Sequence, residues 1–521
     1  MDIYVFVVIV ISIVTRTDSA RILAVFPTPS ISHQIVFRPL TQELVKRGHE
    51  VVVITTDPNY APGKAPVNLT EIDVSNVSYS NWHTEVVNAD VGKSNDLYKQ
   101  FNVFLKVFTA TFENQIQVKT VKNMIRNKNN IRFDLLLLET CMRPTLAFSH
   151  IYKAPVISIS SFGPTLGTYG FLGVPTHPLL YPTFTNQRLY NLTYWEKLKE
   201  LFYYYFINRM SALHEHEQNK MFKKHFGQDI PPLSELYNNI DMFFQNMKSL
   251  LMDNPPVPSS VVYMGGVHLT VPKPLLQPNI TDLFSFLNSS KNGVIYVSFG
   301  TNVKSSILPP EKIQMMIKVF SRLPYDVLWK MDNTKLSGVS KNVKVSEWLP
   351  QADLLTHKNI KVFITQGGKQ STDEAVSAGV PLIGIPMFAD QWFNVEKYVH
   401  HKIGIKLDWI SLTENEFRGA ILTVAEDISY LKNIRRFRKI LNDQPQSPME
   451  RAILWIEHVL QHGGAKHLRA PAANMSWKEY YELDLIGILL TSAIVALLSM
   501  FFFLKLFCLN ILVFLRSKHR K

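Results

Sequence analysis

The segment FITQGGKQSTDEAVSAGVPLIGIPMFADQ, residues 363–391, decides the fold of this 521-residue chain. It predicts a buried parallel strand that ends at Thr365, a Gln-Gly-Gly turn, a helix that stops at Gly379, and a second buried strand at 381–386. Glycine lets the backbone approach an anion, and the free N–H groups of the first helical turn face it. The segment therefore predicts a phosphate-binding turn at the carboxyl edge of an open α/β sheet, where such sheets bind ligands.

Strands and helices alternate on both sides of a proline-rich segment at 255–278, which we interpret as an interdomain linker. Helices separate the predicted strands at a spacing that is typical of parallel sheets. The sequence thus predicts an α/β chain with domains at 21–254 and 279–445, followed by a helix and juxtamembrane segment at 446–484. The apolar runs that predict the strands lie at 22–26, 51–55, 134–138, 156–160, 294–299, 327–331, 343–345, 361–365 and 382–385.

Both ends of the chain carry apolar segments that are typical of targeting. Residues 1–20 predict a secretory signal peptide cleaved after Ala20, with an uncleaved anchor as the alternative. Residues 485–504 lack charged side chains and are long enough to span a bilayer as a helix, and the apolar character continues to about 515. Basic residues in the tail at 516–521 favour the cytoplasm. We therefore predict a single-pass type I membrane protein whose preceding domains are lumenal.

Charge, cysteine content and glycosylation sequons narrow the class of protein further. The net charge is +13, but the positive residues are scattered without a basic stripe, which argues against nucleic-acid binding. The two cysteines, Cys141 and Cys508, exclude an internal disulfide in the lumenal part and a zinc site built on cysteines. Sequons agree with a lumenal location and occur at Asn68, Asn76, Asn191, Asn279, Asn288 and Asn474.

Four motifs along the chain together resemble the UDP-glycosyltransferases, sugar-conjugating enzymes of the GT-B fold. They are VFPTPSISHQ at 25–34, VSFGT at 297–301, EWLPQADLL at 347–355 and the opening segment. The sequence GGKQSTDEA is similar to that of the insect members, and Gln366 precedes it where vertebrate and plant members carry histidine. The resemblance covers nearly the whole chain in order. It implies two facing Rossmann-like domains, with the acceptor bound by the first and the UDP-sugar by the second.

The resemblance implies a catalytic pair in the first domain. His33 matches the family's base, which takes a proton from an acceptor hydroxyl as the oxygen attacks the anomeric carbon of the sugar. Glu139, directly after a predicted strand, is the candidate partner that stabilises the imidazolium. Vertebrate relatives carry Asp at this position, and the longer side chain of Glu139 leaves direct contact with His33 open.

The other matched positions belong to the UDP-sugar site of the second domain. Trp348 resembles the residue that stacks on uracil, and Gln351 resembles one that reads the edge of the base. Glu374 matches the residue that binds the ribose hydroxyls, and Asp390 with Gln391 matches the pair that holds the sugar hydroxyls. The resemblance places the phosphates at Gly300, Thr301, Gln366, Gly367, Gly368, Gln370 and Ser371.

The absence of an Asp-x-Asp motif from the sequence predicts a reaction without a metal or any other cofactor. N–H groups at a helix N-terminus would balance the charge that develops on the departing UDP. The family pattern does not require a basic residue at Lys369, which we expect to be a solvated charge. In-line attack on an α-linked donor predicts inversion to a β-glycoside.

The predicted function is transfer of a hexose, glucose in the first place, to small lipophilic alcohols, phenols, steroids or other xenobiotics at the endoplasmic reticulum membrane. Glucuronic acid as the transferred sugar is one alternative, and a catalytically inactive lipophile-binding protein of the same fold is another. The short basic tail argues against a third, a signalling receptor. The sequence leaves open whether copies of the chain assemble.

An aromatic, helical segment at 179–222 is predicted first as a core helix, with an acceptor-pocket wall or a membrane-facing surface as alternatives. The region at about 164–244 has the weakest pattern in the chain, and we expect it to line the acceptor pocket. The side chains that crowd together there are Trp195, Leu198, Leu201, Phe202, Tyr203, Tyr204, Tyr205 and Phe206.

Overall fold

The computed structural model of the chain describes residues 19–272, 281–304, 307–332, 334 and 336–518. Most of the predicted signal peptide, the end of the predicted linker, the Asn279 sequon and residues 519–521 of the basic tail lie outside these residues. The chain divides into two compact units, one that ends at Ala470 and one that begins at Pro471.

The strands of the first unit form two parallel sheets, as the sequence predicts. In the described residues they are β1 Arg21–Phe26, β2 Glu50–Thr55, β3 Leu69–Asp73, β4 Leu135–Glu139, β5 Val156–Ser160, β6 Ile240–Gln245, β7 Val261–Tyr263, β8 Val294–Ser298, β9 Asp326–Lys330, β10 Val343–Ser346, β11 Ile360–Thr365, β12 Leu382–Gly384 and β13 Gly404–Lys406. Central strands such as β4 and β8 are buried along their whole length. This burial explains their continuous Leu, Val and Ile runs, because helices cover both faces of a parallel sheet.

The two sheets share one topology. The first has the order β3-β2-β1-β4-β5-β6-β7, and the second has the order β10-β9-β8-β11-β12-β13. In each sheet the first strand lies between its second and fourth strands, so that Ala24 of β1 pairs with Val53 and Leu137. The strand order reverses between β1 and β4 and again between β8 and β11, which creates a ligand-binding crevice at the carboxyl edge of each sheet.

Helices connect these strands and cover the sheets. The α-helices of the described residues are α1 Ile31–Lys46, α2 Ser75–Asn88, α3 Leu97–Gln117, α4 Lys119–Arg126, α5 Ala147–Tyr152, α6 Thr168–Phe171, α7 Tyr194–Phe226, α8 Leu233–Leu236, α9 Thr281–Ser289, α10 Pro310–Ser321, α11 Gln351–Leu355, α12 Lys369–Ala378, α13 Gln391–His400, α14 Glu414–Glu426, α15 Ile428–Asn442, α16 Pro448–His462, α17 Trp477–Tyr480 and α18 Leu483–Lys518.

The helix α16 returns from the second sheet to the first. Its buried side chains, Ala452 and Ile456 among them, belong to the same core cluster as Ile22 of β1. Arg451 Nη1 donates to the carbonyl oxygen of Tyr263 at 3.1 Å, and the imidazole of His49 lies 3.2 Å from Glu457. The last helix of the first unit thus stabilises the domain that begins the chain.

Hydrogen bonds also join the two α/β domains directly. Trp409 Nε1 donates to the carbonyl oxygen of Gly92 at 2.7 Å, and Gln100 Nε2 donates to that of Met387 at 3.1 Å. Trp409 is almost fully buried, so its N–H needs this partner. The carboxyl edges of the two sheets are therefore held close to each other across the cleft.

The second unit contains α17 and α18. Among the described residues, α18 is the one helix long and apolar enough to cross a membrane, with a mean hydropathy of 2.5 and no buried side chain. The predicted span at 485–504 lies inside it, and the helix continues through Lys505 to Lys518. At 1.5 Å per residue its length is roughly 54 Å, well beyond the ~30 Å hydrocarbon core of a bilayer.

The aromatic segment at 179–222 does not form a core helix, so the first interpretation of its sequence is wrong. Helix α7 begins at Tyr194, and its N-terminal half exposes large apolar side chains, with Trp195 81% and Phe202 63% exposed. A high content of aromatic residues favours a core helix on sequence grounds alone. Which side chains are buried depends on the helices packed against α7, and the composition of a segment does not specify them.

Candidate active site

The predicted catalytic pair meets at the switch point of the first sheet. Ser30 ends the loop after β1, and His33 lies in the first turn of α1. Glu139 is the last residue of β4. His33 Nδ1 is 2.6 Å from Glu139 Oε1, which answers the question that the length of the glutamate left open. Because β1 and β4 are neighbours, their carboxyl ends bring together residues 106 positions apart in the chain.

Buried contacts hold the carboxylate of Glu139 in place. Its side chain is fully buried, and Oε2 accepts a hydrogen bond from the backbone N–H of Thr28 at 3.1 Å. The ring of Phe162 packs edge-on against His33, with the ring centroids 5.7 Å apart. A buried carboxylate with two partners fixes both the orientation and the tautomer of the imidazole, since Nδ1–H donates and Nε2 keeps a lone pair.

His33 lines a cavity of about 140 Å³ between the two domains. Its wall is mainly apolar, and most of its aromatic rings come from the first domain. The predicted region at 164–244 contributes Thr165, Leu166 and Phe184. The sequence analysis missed the larger contribution of α2 and α3, although an aromatic i, i+3, i+7 pattern on α3 could have indicated it. These side chains are Trp82, Phe101, Phe104, Leu105 and Phe108.

The predicted phosphate turn lies at the switch point of the second sheet. Gly367 has a φ of +89°, and a Cβ atom there would lie 2.4 Å from Val395 Cγ2, so this position requires glycine. Gly300 has a φ of +77°, and its missing Cβ leaves room for the amide of Gln366. The amide oxygen of Gln366 is buried and has no hydrogen-bond partner among the described residues. The turn therefore brings the backbone after β8 and β11 together, at the N-terminus of α12.

Lys369, in the first turn of α12, is 2% exposed and forms an ion pair with Asp373. The expectation of a solvated charge at this position is therefore wrong. An ammonium group is buried at this depth only with a partner, and Asp373 lies one helical turn further along the same face. The next residue, Gln370, crosses the cleft, because its Nε2 donates to the carbonyl oxygen of Ser161 at 3.0 Å.

The residues predicted to read the base and the ribose form one hydrogen-bonded cluster. Gln351 Nε2 donates to Glu374 Oε2 at 2.7 Å and to Ser371 Oγ at 2.9 Å. Tyr296 OH donates to Gln351 Oε1 at 2.9 Å, a partner that the sequence analysis did not identify. Burial raises the pKa of Glu374 to about 7, and the hydrogen bond from Gln351 opposes this shift only in part.

Trp348 lies at the rim of this cluster, with 59% of the side chain exposed. Lys330 Nζ is 4.8 Å from the centroid of the indole ring and donates to the carbonyl oxygen of Gly300 at 3.2 Å. Burial lowers the pKa of Lys330. An exposed indole face beside the Gln351 cluster is available to a planar ring, and Lys330 is a cation close to it that the sequence analysis missed.

Asp390 and Gln391 both line the cavity, at the N-terminus of α13. Gln391 Oε1 accepts from the backbone N–H groups of Met387 at 2.8 Å and Phe388 at 3.0 Å, so its side chain offers a ligand only NH₂ donors. Asp390 Oδ2 accepts from Asn394 Nδ2 at 2.7 Å. Burial raises the pKa of Asp390, and the hydrogen bond from Asn394 opposes this shift.

Comparison with known proteins identifies the family of the chain. The model of a family described as "UDP-glucoronosyl and UDP-glucosyl transferase" matches residues 21–521. The chain is 33% identical over 496 residues to the ecdysteroid UDP-glucosyltransferase of Spodoptera littoralis nuclear polyhedrosis virus, which covers 92% of this chain and 96% of the viral protein. It is 32% identical over 494 residues to UDP-glucosyltransferase 2 of Dactylopius coccus, with 92% of each chain covered.

The solved structure of the glycotransferase of kitacinnamycin has a TM-score of 0.58 to this chain. The match covers 84% of this chain and 99% of that one at 18% identity, so it shows the fold alone. Together with the two parallel sheets, this likeness confirms the predicted GT-B fold. The chain therefore belongs to the UDP-glucuronosyl and UDP-glucosyl transferase family and is a glycosyltransferase.

Proposed function

We propose that this enzyme transfers glucose from UDP-glucose to a hydroxyl group of a small lipophilic acceptor, with inversion at the anomeric carbon. The observation that carries the proposal is the His33–Glu139 pair, which opens into an aromatic cavity that Asp390 and Gln391 also line. A base, an apolar acceptor site and hydroxyl-binding side chains thus surround one space.

In the proposed reaction the neutral imidazole of His33 accepts the proton of the acceptor hydroxyl at Nε2. The acceptor oxygen forms a bond to the anomeric carbon while the bond from that carbon to the UDP oxygen breaks. Glu139, 2.6 Å from Nδ1, stabilises the imidazolium that results. The N–H groups in the first turn of α12 stabilise the charge on the departing UDP. Because attack and departure occur on opposite faces, an α-linked donor gives a β-glycoside.

The pairing of the donor-side cation favours glucose over glucuronic acid as the transferred sugar. Among the described residues that line the cavity, Lys369 is the one lysine or arginine from the second domain, and it pairs with Asp373. Arg143 belongs to the first domain, where it donates to the uncharged side chains of Ser211 and Gln218. A glucuronate carboxylate needs a cation of its own when it leaves water. We therefore expect a higher kcat/KM with UDP-glucose than with UDP-glucuronate. A preference for UDP-glucuronate would overturn this choice of sugar and leave the transferase reaction in place.

The aromatic side chains of the cavity and its small volume favour acceptors with a single aromatic ring. The cavity of about 140 Å³ must also hold the transferred sugar, and benzene alone fills an apolar cavity of about 150 Å³, so the smallest acceptor requires the least movement of the wall. The ecdysteroid named for the viral relative would enter only if the aromatic wall moved outward. Initial rates with a simple phenol, a bicyclic phenol and an ecdysteroid test whether transfer slows as the acceptor becomes larger. Faster transfer to the ecdysteroid than to the simple phenol would contradict this expectation.

We also propose that the reaction needs no metal, because backbone N–H groups and the α12 terminus take the role that an Asp-x-Asp-bound cation has in other glycosyltransferases. The test is the transfer rate of membranes that carry the protein, measured with UDP-glucose and a phenol before and after treatment with EDTA. An unchanged rate is expected, and a loss that added Mg²⁺ or Mn²⁺ restores would refute metal independence. Nuclear magnetic resonance of the product checks the β configuration.

We propose residence in the endoplasmic reticulum membrane, with α18 as the anchor and the first unit in the lumen. The sequons at Asn76, Asn191 and Asn288 are exposed, whereas the amide of Asn68 donates to the carbonyl oxygens of Val45 and His49, both at 2.9 Å. A glycan on Asn68 would break these bonds, so we expect modification at the exposed sites. Loss of mass after endoglycosidase treatment, together with protease protection in intact microsomes, tests both the glycans and the orientation.

A further inference from the structure

Cys141 lies two residues beyond Glu139 and lines the same cavity as His33. A ring nitrogen of His33, a carboxylate oxygen of Glu139 and the sulfur of Cys141 all lie within 4.8 Å of one another. We propose that these three side chains form an inhibitory site for Zn²⁺ and related thiophilic divalent cations. The inhibitory effect rests on the catalytic role proposed above for His33, whereas the binding of the metal does not.

The spacing of the three groups is close to that of a zinc site. With zinc bonds of about 2.0–2.1 Å to nitrogen and oxygen and 2.3 Å to sulfur, tetrahedral ligand atoms lie roughly 3.3–3.6 Å apart. The His33 and Glu139 atoms are 2.6 Å apart and must separate slightly as the metal replaces their shared hydrogen. The sulfur lies within 4.8 Å of the other two ligand atoms, and a rotation of the Cys141 side chain can bring it closer to them. Three protein ligands leave the fourth position open toward the cavity.

The types of ligand select the metal. An imidazole, a thiolate and a carboxylate suit Zn²⁺, whereas Mg²⁺ and Ca²⁺ prefer sites made of oxygen atoms. Binding converts the Cys141 thiol to a thiolate and releases one proton to solvent. The +2 charge of zinc then balances the thiolate and the carboxylate, so a site with no net charge replaces the buried Glu139 anion. This balance lowers the cost of holding ions away from water.

Zinc would block transfer because it occupies the base. If the metal binds Nδ1 of His33, the ring proton must reside on Nε2, which then has no lone pair for the acceptor hydroxyl. If the metal binds Nε2, it occupies the lone pair that would otherwise accept the proton of the acceptor hydroxyl. Either way the imidazole cannot accept a proton, and inhibition should compete with the acceptor rather than with UDP-glucose.

The chain offers a matched pair of variants for the test. C141S removes the soft ligand at nearly constant volume, whereas C508S removes the other cysteine of the sequence, which is exposed on α18. Zinc binding to the purified full chain is measured by competition with a chromophoric chelator. Co²⁺ serves as a spectroscopic probe through its thiolate charge-transfer band. We expect one Zn²⁺ per chain in wild type and C508S, at least tenfold weaker binding in C141S, and a cobalt–thiolate band in every variant except C141S.

Transfer rates, normalised to the metal-free rate of each variant, complete the experiment. Zinc should inhibit wild type and C508S, EDTA should reverse the inhibition, and C141S should need at least tenfold more zinc. Equal zinc binding or equal inhibition in C141S and C508S would overturn the proposal, as would a cobalt–thiolate band in C141S. If no variant transfers glucose under any condition, the proposed function fails, and the binding and cobalt measurements still decide the metal site. A melting temperature measured for C141S without metal checks that the variant is folded.

Discussion

The acceptor half of the site, after β1 and β4, and the donor half, after β8 and β11, occupy the same topological position in two similar sheets. In the acceptor half the catalytic side chains already make the contacts that the proposed reaction requires. His33 contacts Glu139, and the carboxylate is fixed by the backbone N–H of Thr28. In the donor half the polar groups bind one another, as Gln351 does with Glu374 and Ser371.

This difference shows how the same fold supports proton transfer in one domain and binding of UDP-glucose in the other. The base must have its tautomer and orientation set before the acceptor arrives, so its partner is buried and rigid. The donor groups must exchange their mutual hydrogen bonds for bonds to UDP-glucose, and Trp348 is the most exposed of them. Substitutions in the acceptor half should therefore lower kcat, whereas substitutions in the donor half should raise the KM for UDP-glucose.

The largest effect is expected from His33→Ala. Removal of a general base costs about 10²–10⁴-fold in rate, and we expect kcat at the upper end of this range because Glu139 is then left buried without its partner. The KM for UDP-glucose should change less than about threefold. Steady-state kinetics at saturating acceptor measures both constants. A kcat within tenfold of wild type would refute the assignment of the base.

Glu139→Gln should follow, with a loss of about 10²-fold in kcat. The glutamine amide can donate a hydrogen bond to Nδ1, which places the ring proton on Nε2 and removes the lone pair that faces the acceptor. Glu139→Asp keeps the charge but withdraws the carboxylate by roughly 1.5 Å, one carbon–carbon bond, so it should retain more activity than the glutamine variant. If the glutamine variant is the faster of the two, charge and tautomer at Glu139 do not control the base.

Trp348→Ala tests the donor half and should raise the KM for UDP-glucose about tenfold, with a small change in kcat. Stacking of a base on an aromatic side chain contributes about 1–3 kcal/mol, and the exposed indole of Trp348 makes few contacts whose loss would unfold the domain. Trp348→Phe keeps an aromatic face and should lie between the alanine variant and wild type. An unchanged KM for UDP-glucose in the alanine variant would show that uracil binds elsewhere.

The smallest expected effect is a pH dependence of stability that arises from Glu374. Its pKa is raised from 4.5 to about 7 by burial, so between these values the folded chain holds a proton that the unfolded chain has lost. The free energy of unfolding therefore falls as the pH rises from 4.5 to about 7. The contribution is about 1 kcal/mol after relaxation of the site is allowed for.

Glu374→Gln cannot titrate and should flatten this part of the stability curve. The melting temperature of the purified, ligand-free protein, followed by tryptophan fluorescence at several pH values from 4.5 to 7, measures the difference. Parallel curves for the variant and wild type would show that Glu374 does not carry the shift.

Individual residues show how far the sequence predicts such a site. The glycine turn at 366–368 could be located because Gly367 has a conformation and a close contact that other residues cannot match. Lys369, two residues later, was predicted wrongly, because its burial depends on Asp373 and on the domain packed against it. The aromatic side chains of α7 were predicted wrongly for a related reason: their number is visible in the sequence, but their neighbours are not.

The two parallel α/β sheets, the order of the motifs and the apolar helix near the end of the chain could all be predicted from the sequence. These features follow from local patterns, namely strand-length apolar runs, glycines with positive φ and helix periodicity. The 2.6 Å contact between His33 and Glu139, the aromatic side chains that α2 and α3 add to the cavity wall, and the proximity of Cys141 to the base depend on tertiary packing. These features join residues distant in the chain, and the packing of neighbouring strands and of the two domains sets their distances.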